Sequence, residues 1–170
     1  MRWRWKWVMC VLCGLSSGMV TAAEPAADAG VERARKQVRM LDDLYKTAVV
    51  LITETYVKSE TDVSAGTAAK LLFAAMKQKN WHEARLLDAT GNPYDAKNVA
   101  EDDFEKQAIK DLTSGKSYVE RIETSDGIRY LRAATPVPVV LKKCTLCHPH
   151  YADAKPGQAI GALTYRLKID

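Results

Sequence analysis

Apolar residues recur at Val31, Ala34, Val38, Leu41, Tyr45, Ala48 and Ile52, the three-and-four spacing that lines one face of an α-helix. This predicts a long amphipathic helix over residues 31–58. A second stripe at Leu44, Val49 and Leu51 widens its apolar face towards the C-terminal half; such a helix packs on a sheet or on its own copy. Ala68, Ala69, Leu72, Phe73 and Met76 predict a second helix over 64–79, capped near Asp62 or Ser64. From His82 to Asp88 the pattern alternates as a strand does, and it runs into the turn signal Gly91-Asn92-Pro93. Residues 101–112 read as a third, shorter helix stopped near Gly115. Residues 117–124 and 128–135 pair as a hairpin around Ser125-Asp126-Gly127, and 159–169 is a last strand. The expected fold class is α+β: an antiparallel sheet with a long N-terminal helix and further helices packed on it.

The first thirty residues do not fit that pattern. Arg2, Arg4 and Lys6 alternate with Trp3, Trp5 and Trp7, an apolar run follows to Val20, and Thr21-Ala22-Ala23 closes it. This is the order of a secretory signal peptide. The run is too short and too broken by Gly14, Ser16, Ser17 and Gly18 for an uncleaved anchor. The expected organisation is a signal peptide at 1–22, a flexible spacer at 23–30 and one domain at 31–170, with cleavage after Ala22 or Ala23 and a periplasmic or otherwise exported product. Cleavage removes Arg2, Arg4 and Lys6, so the net charge of +4 falls to +1, and it removes Cys10 and Cys13, two of the four cysteines. Near-neutrality argues against a nucleic-acid partner or a polybasic membrane patch. No later apolar run is long enough for stable membrane insertion once the signal is gone. Two remaining thiols do not make a disulfide scaffold.

Those two thiols sit in Cys144-Thr145-Leu146-Cys147-His148, the C-x-x-C-H spacing that attaches a c-type haem. Two thiols three positions apart can add to the two vinyl groups of one porphyrin, and the following histidine then ligates the iron. Two other readings use the same residues. Cys144, Cys147, His148 and His150 can be a zinc set, although four ligands within seven residues strain a tetrahedron. Cys144 and Cys147 can be a thioredoxin-like exchange pair, which normally opens a helix after a strand of a βαβ unit. The export signal favours one covalent haem, since C-x-x-C-H attachment takes place outside the cytoplasm.

Four features, in this order, resemble a family. They are Asn92-Pro93 followed by Asp103-Phe104-Glu105; Tyr130-Leu131-Arg132-Ala133-Ala134-Thr135-Pro136-Val137; the Cys144–His148 motif; and Ile160-Gly161-Ala162-Leu163. From the first long helix to its end, the chain resembles the single-haem, PAS-like domains of bacteria catalogued as a domain of unknown function. These occur as small exported proteins and as extracytoplasmic sensor modules. The resemblance implies a PAS-like fold and a haem held by Cys144, Cys147 and His148. The chain departs from the family in carrying Pro149-His150-Tyr151 after the motif, where glycine is common. Some members bring a cysteine thiolate to the iron from between the first two helices, and this chain has no cysteine there.

The iron's second ligand decides between functions. The remaining candidates are His82, His150, Met76 and Met40. His150 lies too close to His148 in sequence to reach the opposite face and reads as a loop histidine. Met40 and Met76 read as packing residues. His82 shares strand parity with Ala84 and Leu86, so it is the expected ligand if the protein supplies one; an open position ranks beside it. Trp81 reads as packing, and Asp102, Asp103 and Glu105 as acids placed by the helix dipole. The expected function is an electron carrier or a redox or small-ligand sensor, rather than an enzyme, working with a redox partner or a signalling receptor protein; a homodimer stays open. The alternatives are a small haem peroxidase or reductase, with His82 or His150 as acid or base, and a non-haem thiol or zinc module.

Overall fold

The computed structural model describes residues 28–56, 58 and 64–170. The expected signal peptide, most of the spacer and Asp62 lie outside the described residues. Helix α1 (Ala29–Thr55) opens on Asp28, whose carboxylate accepts from the amides of Gly30 at 3.0 Å and Val31 at 3.2 Å. That cap satisfies two otherwise unpaired amides, so the helix starts two residues ahead of its apolar stripe. Helix α2 (Ala65–Gln78) is capped by Ser64, which accepts from the Thr67 amide at 3.2 Å. There follow β1 (Glu83–Asp88), α3 (Asp103–Thr113), β2 (Val119–Ser125), β3 (Ile128–Pro138), α4 (Cys144–Cys147) and β4 (Ala159–Lys168), with 3-10 turns at Ala96–Asn98 and Pro149–Tyr151.

The four strands form one antiparallel sheet in the order β1-β4-β3-β2. Between β2 and β3, Asp126 and Gly127 both take positive φ, 52° and 75°, as a two-residue hairpin turn requires. The fold class is therefore α+β, as the pattern predicts.

Both faces of the sheet are covered. Leu131 and Ala133 of β3 and Leu163, Tyr165 and Leu167 of β4 bury against Ala34, Val38 and Tyr45 of α1 and Ala69 and Phe73 of α2. The intervening positions, Ala134 and Ala162, face the other way and meet Phe104, Ala108 and Leu112 of α3. Period-two alternation in the strands thus sorts side chains between two cores. The second stripe of α1 behaves differently from expectation. Val49 packs against the first core, but Leu44 and Leu51 are 58% and 55% exposed. They lie one helical step away from the face carrying Val31, Ala34, Val38 and Tyr45, and no element among the described residues covers that step.

Under α3 the sheet carries charge. Arg121, Arg132 and Arg166 are direct cross-strand neighbours, an arrangement that repels unless compensated. Asp102 accepts from Arg132 at 2.8 Å, Glu123 lies 3.3 Å from Arg132 and 3.6 Å from Arg166, and Glu83 accepts from Arg166 at 3.1 Å. The Arg132 guanidinium also sits 4.7 Å from the centre of the Phe104 ring. Buried Glu105 accepts from Arg85 at 2.6 Å and from the Glu101 amide at 2.9 Å. Asp102 and Glu105 thus clamp α3 to the sheet, a role beyond the helix dipole that the sequence suggests, while exposed Asp103 pairs with Lys106 of the same helix.

Candidate functional site

The motif forms α4, a single turn in the connection from β3 to β4. The amides of Cys144, Thr145 and Leu146 reach the carbonyls of Leu141, Lys142 and Lys143 at 3.0, 3.1 and 3.2 Å. Residues three apart on a helical turn share a face, so the backbone places positions 144 and 147 side by side. His148 leaves the helix with φ −132° and ψ 67°. Pro149 then starts a 3-10 turn, closed where the Tyr151 amide donates to the His148 carbonyl at 2.9 Å.

This connection borders a cavity of about 220 Å³, several times the roughly 30 Å³ that one water occupies in the liquid. Its walls are the C-terminal half of α1 (Val49, Val50, Thr53), one face of α2 (Ala65, Gly66, Ala69, Phe73), the ends of β1 and β3 (Leu86, Leu87, Val137, Pro138) and the start of β4 (Gly161, Leu163). Cys144, His148 and Tyr151 line it from the motif side, and Tyr94 from the loop after β1. The lining is predominantly apolar. The hollow has a local cause: α2 presents Ala65, Gly66 and Ala69 where longer side chains would fill the space against the sheet. Gly161 has a related role, because a Cβ there would lie 2.8 Å from the Leu87 carbonyl oxygen. Its absence lets β1 and β4 close beside the cavity.

Cys144 is a free, half-buried thiol. His148 is half-buried, and its Nδ1 is buried without a hydrogen-bond partner. Burial chiefly, with a smaller push from His150, lowers its pKa from the ordinary histidine value, against an opposing pull from Asp88. A neutral imidazole keeps a lone pair for a metal. The ring is held among aromatics. Tyr151 stacks on it with ring centres 4.9 Å apart and planes 22° apart, and Tyr94 meets it edge-on at 4.9 Å and 80°. Exposed His150 stacks on Tyr94 at 6.0 Å and 10°.

The structure does not bring His82 to this cavity. His82 precedes the opposite end of β1, six residues from Asp88, about 20 Å along an extended chain. Its Nε2 lies 2.6 Å from the Tyr45 hydroxyl, and burial lowers its pKa. Strand parity does place it half-buried, but against Tyr45. Met76 is half-buried outside the lining, and Met40 is 60% exposed. The two lysines at the wall are engaged: Lys46 with Asp42 at 2.9 Å, and Lys143 with the Glu54 carbonyl at 2.7 Å.

Sequence reasoning missed Tyr94, Tyr151 and Asp88. Two faint signals were present: an aromatic three residues after His148, one turn away, and another directly after Asn92-Pro93. Among the described residues, no group of three or more His, Cys, Asp or Glu is placed to hold a metal ion, and the antiparallel sheet contains no βαβ unit for a thioredoxin-like pair.

A family model described as Tll0287-like matches residues 26–165. No curated protein matches the chain.

Proposed function

The chain belongs to the Tll0287-like family, and on that premise we propose that it is a c-type haem domain, covalently loaded at Cys144 and Cys147, with His148 as iron ligand. We further propose that it senses redox state or a small ligand rather than carrying electrons. One observation supports this above the rest: an apolar cavity is lined by Cys144 and His148 and, among the described residues, by no other histidine and no methionine. The residues fit the group. The thiol is free, a buried ring nitrogen lacks the partner such atoms normally have, and the walls suit a flat apolar macrocycle.

Once bound, haem supplies an iron that changes oxidation state and takes up small ligands. The rest is the work of the chain. His148 is held neutral by burial and offers its lone pair. Val49, Val50, Phe73 and Leu86 keep water from the interior of the cavity. His82 is held by Tyr45, and the segment from Val57 to Val63 contains no histidine, methionine or cysteine. Among the described residues, His148 is therefore the one histidine at the cavity, and no methionine lines it. Haem addition at C-x-x-C-H fits the leader-like first 22 residues and an exported, periplasmic product; no helix among the described residues is long and apolar enough to cross a membrane. A sensor of this kind passes its signal to a separate protein.

The test is haem staining after denaturing electrophoresis, then absorption spectra of the reduced protein with and without carbon monoxide. Covalent stain and a carbon monoxide complex are expected. Absence of stain would return the motif to the thiol or zinc readings. A low-spin spectrum indifferent to carbon monoxide would return the protein to electron transfer.

A further inference from the structure

We propose that Tyr151, stacked on His148 at the cavity wall, is its positioning residue: it fixes the plane of the imidazole and thereby tunes whatever iron that ring holds. This rests on the haem reading above and adds to it a residue outside the attachment motif.

The local chain makes the contact obligatory. His148 ends α4, Pro149 locks the first position of the next turn, and the hydrogen bond from the Tyr151 amide to the His148 carbonyl closes it at 2.9 Å. Three residues on, the Tyr151 ring folds back over the His148 ring at 4.9 Å and 22°. A flexible glycine after the motif would not enforce that return. With Tyr94 edge-on at 4.9 Å, rotation of His148 about its Cβ–Cγ bond would drive it into one ring or the other.

Tyr151 lines the same cavity wall as Asp88, at the end of β1. Asp88 cannot swing away, because its carboxylate accepts from the amides of Thr90 at 3.0 Å, Gly91 at 2.7 Å and Asn92 at 3.1 Å, and from the Thr90 hydroxyl at 2.8 Å. The turn after β1 is thus a fixed part of the wall that Tyr151 also lines, and the ligand ring stacks on Tyr151. Outer partners of this kind set the orientation and donor strength of a metal-bound histidine.

The experiment compares Tyr151→Leu, which removes the stacking ring, with Tyr151→Phe, which keeps the ring and loses the hydroxyl. Full-length exported protein is used throughout. Three measurements are made: covalent haem stain, the ratio of oxidised to reduced haem at a fixed ambient potential, and the iron–histidine stretching band of the reduced protein. All three proteins should stain, because attachment needs only the cysteines. Tyr151→Leu should shift the ratio by about tenfold and broaden the stretching band. Tyr151→Phe should lie between it and wild type in both. Wild-type ratio and band in loaded Tyr151→Leu would overturn the proposal and leave Tyr151 as packing. Should Tyr151→Leu fail to load, Tyr151→Phe decides: a shifted ratio and a broadened band support the proposal, and wild-type values in both overturn it. A wild type without haem stain overturns the haem reading itself, and the proposal falls with it.

Discussion

Two residues show how burial redefines a side chain. Glu105 reads in the sequence as one more acid at a helix start, yet it is 2% exposed and shared between Arg85, the Glu101 amide and the Thr164 hydroxyl, with Arg132 at 3.8 Å. Removing one partner of a buried ion pair strands the other. Glu105→Ala should therefore destabilise the fold by about 3 kcal/mol in urea unfolding, and Glu105→Gln, which still accepts hydrogen bonds, by less. His82 makes a contrasting case. Burial lowers its pKa below the ordinary 6.5, and a neutral ring lets Nε2 accept from the Tyr45 hydroxyl. A depressed histidine pKa means that the unfolded chain takes up the proton first as pH falls. The stabilising contribution is therefore complete above about pH 6.5 and is lost as pH falls through the lower, folded value. Unfolding free energy measured between pH 7.5 and 5 should fall more steeply in wild type than in His82→Asn. Parallel curves would show that the buried His82 ring contributes no pH-dependent stability.

Among the elements, each part of the site depends on a local choice. Asp102 caps α3 by accepting from the Glu105 amide at 2.8 Å and also pairs with Arg132. Arg132 and that amide together outweigh burial and hold its carboxyl below the usual range. Asp102→Ala should cost more than the roughly 1 kcal/mol of an ordinary cap, and thermal melting checks it. Gly161 is the tighter constraint. A methyl group there meets the Leu87 carbonyl oxygen at 2.8 Å, so Gly161→Ala must push β1 from β4 at the cavity wall. A loss of about 2 kcal/mol is expected from such overpacking, together with weaker haem retention in a Cys144→Ser/Cys147→Ser background supplied with free haem. Wild-type melting in Gly161→Ala would mean that β1 yields without cost. The element boundaries themselves were largely legible, because caps, turn residues and periodicity are local. The direction of Leu44 and Leu51 was not, because a helix pattern does not say how much of its circumference a sheet will cover.

At the scale of the molecule, the sheet has a solid core under α3 and a partly hollow one under α1 and α2. A hollow apolar core is costly unless something occupies it. On the proposed haem reading, the Cys144→Ser/Cys147→Ser protein should therefore be less stable than wild type by on the order of 3 kcal/mol, read by chemical denaturation with haem content measured in parallel. Equal stability would mean that the cavity closes in the unloaded protein.

The sequence by itself determined the main helices and strands, the α+β class and the Cys144–His148 motif. Each of these is written in neighbouring residues: Cys144, Cys147 and His148 occupy five consecutive positions, and the hairpin announces itself at Asp126-Gly127. Tertiary structure alone decided which distant residues share a space. It set His82 against Tyr45 at one end of β1 and gathered Val49, Ala69, Leu87, Tyr94 and Gly161 around His148 at the other. Strand parity can tell one face of a sheet from the other, but the position of a residue along the strand relative to a loop from elsewhere in the chain depends on register and crossover. These arise only when β1 pairs with β4, more than seventy residues away in sequence, and no local pattern records that pairing.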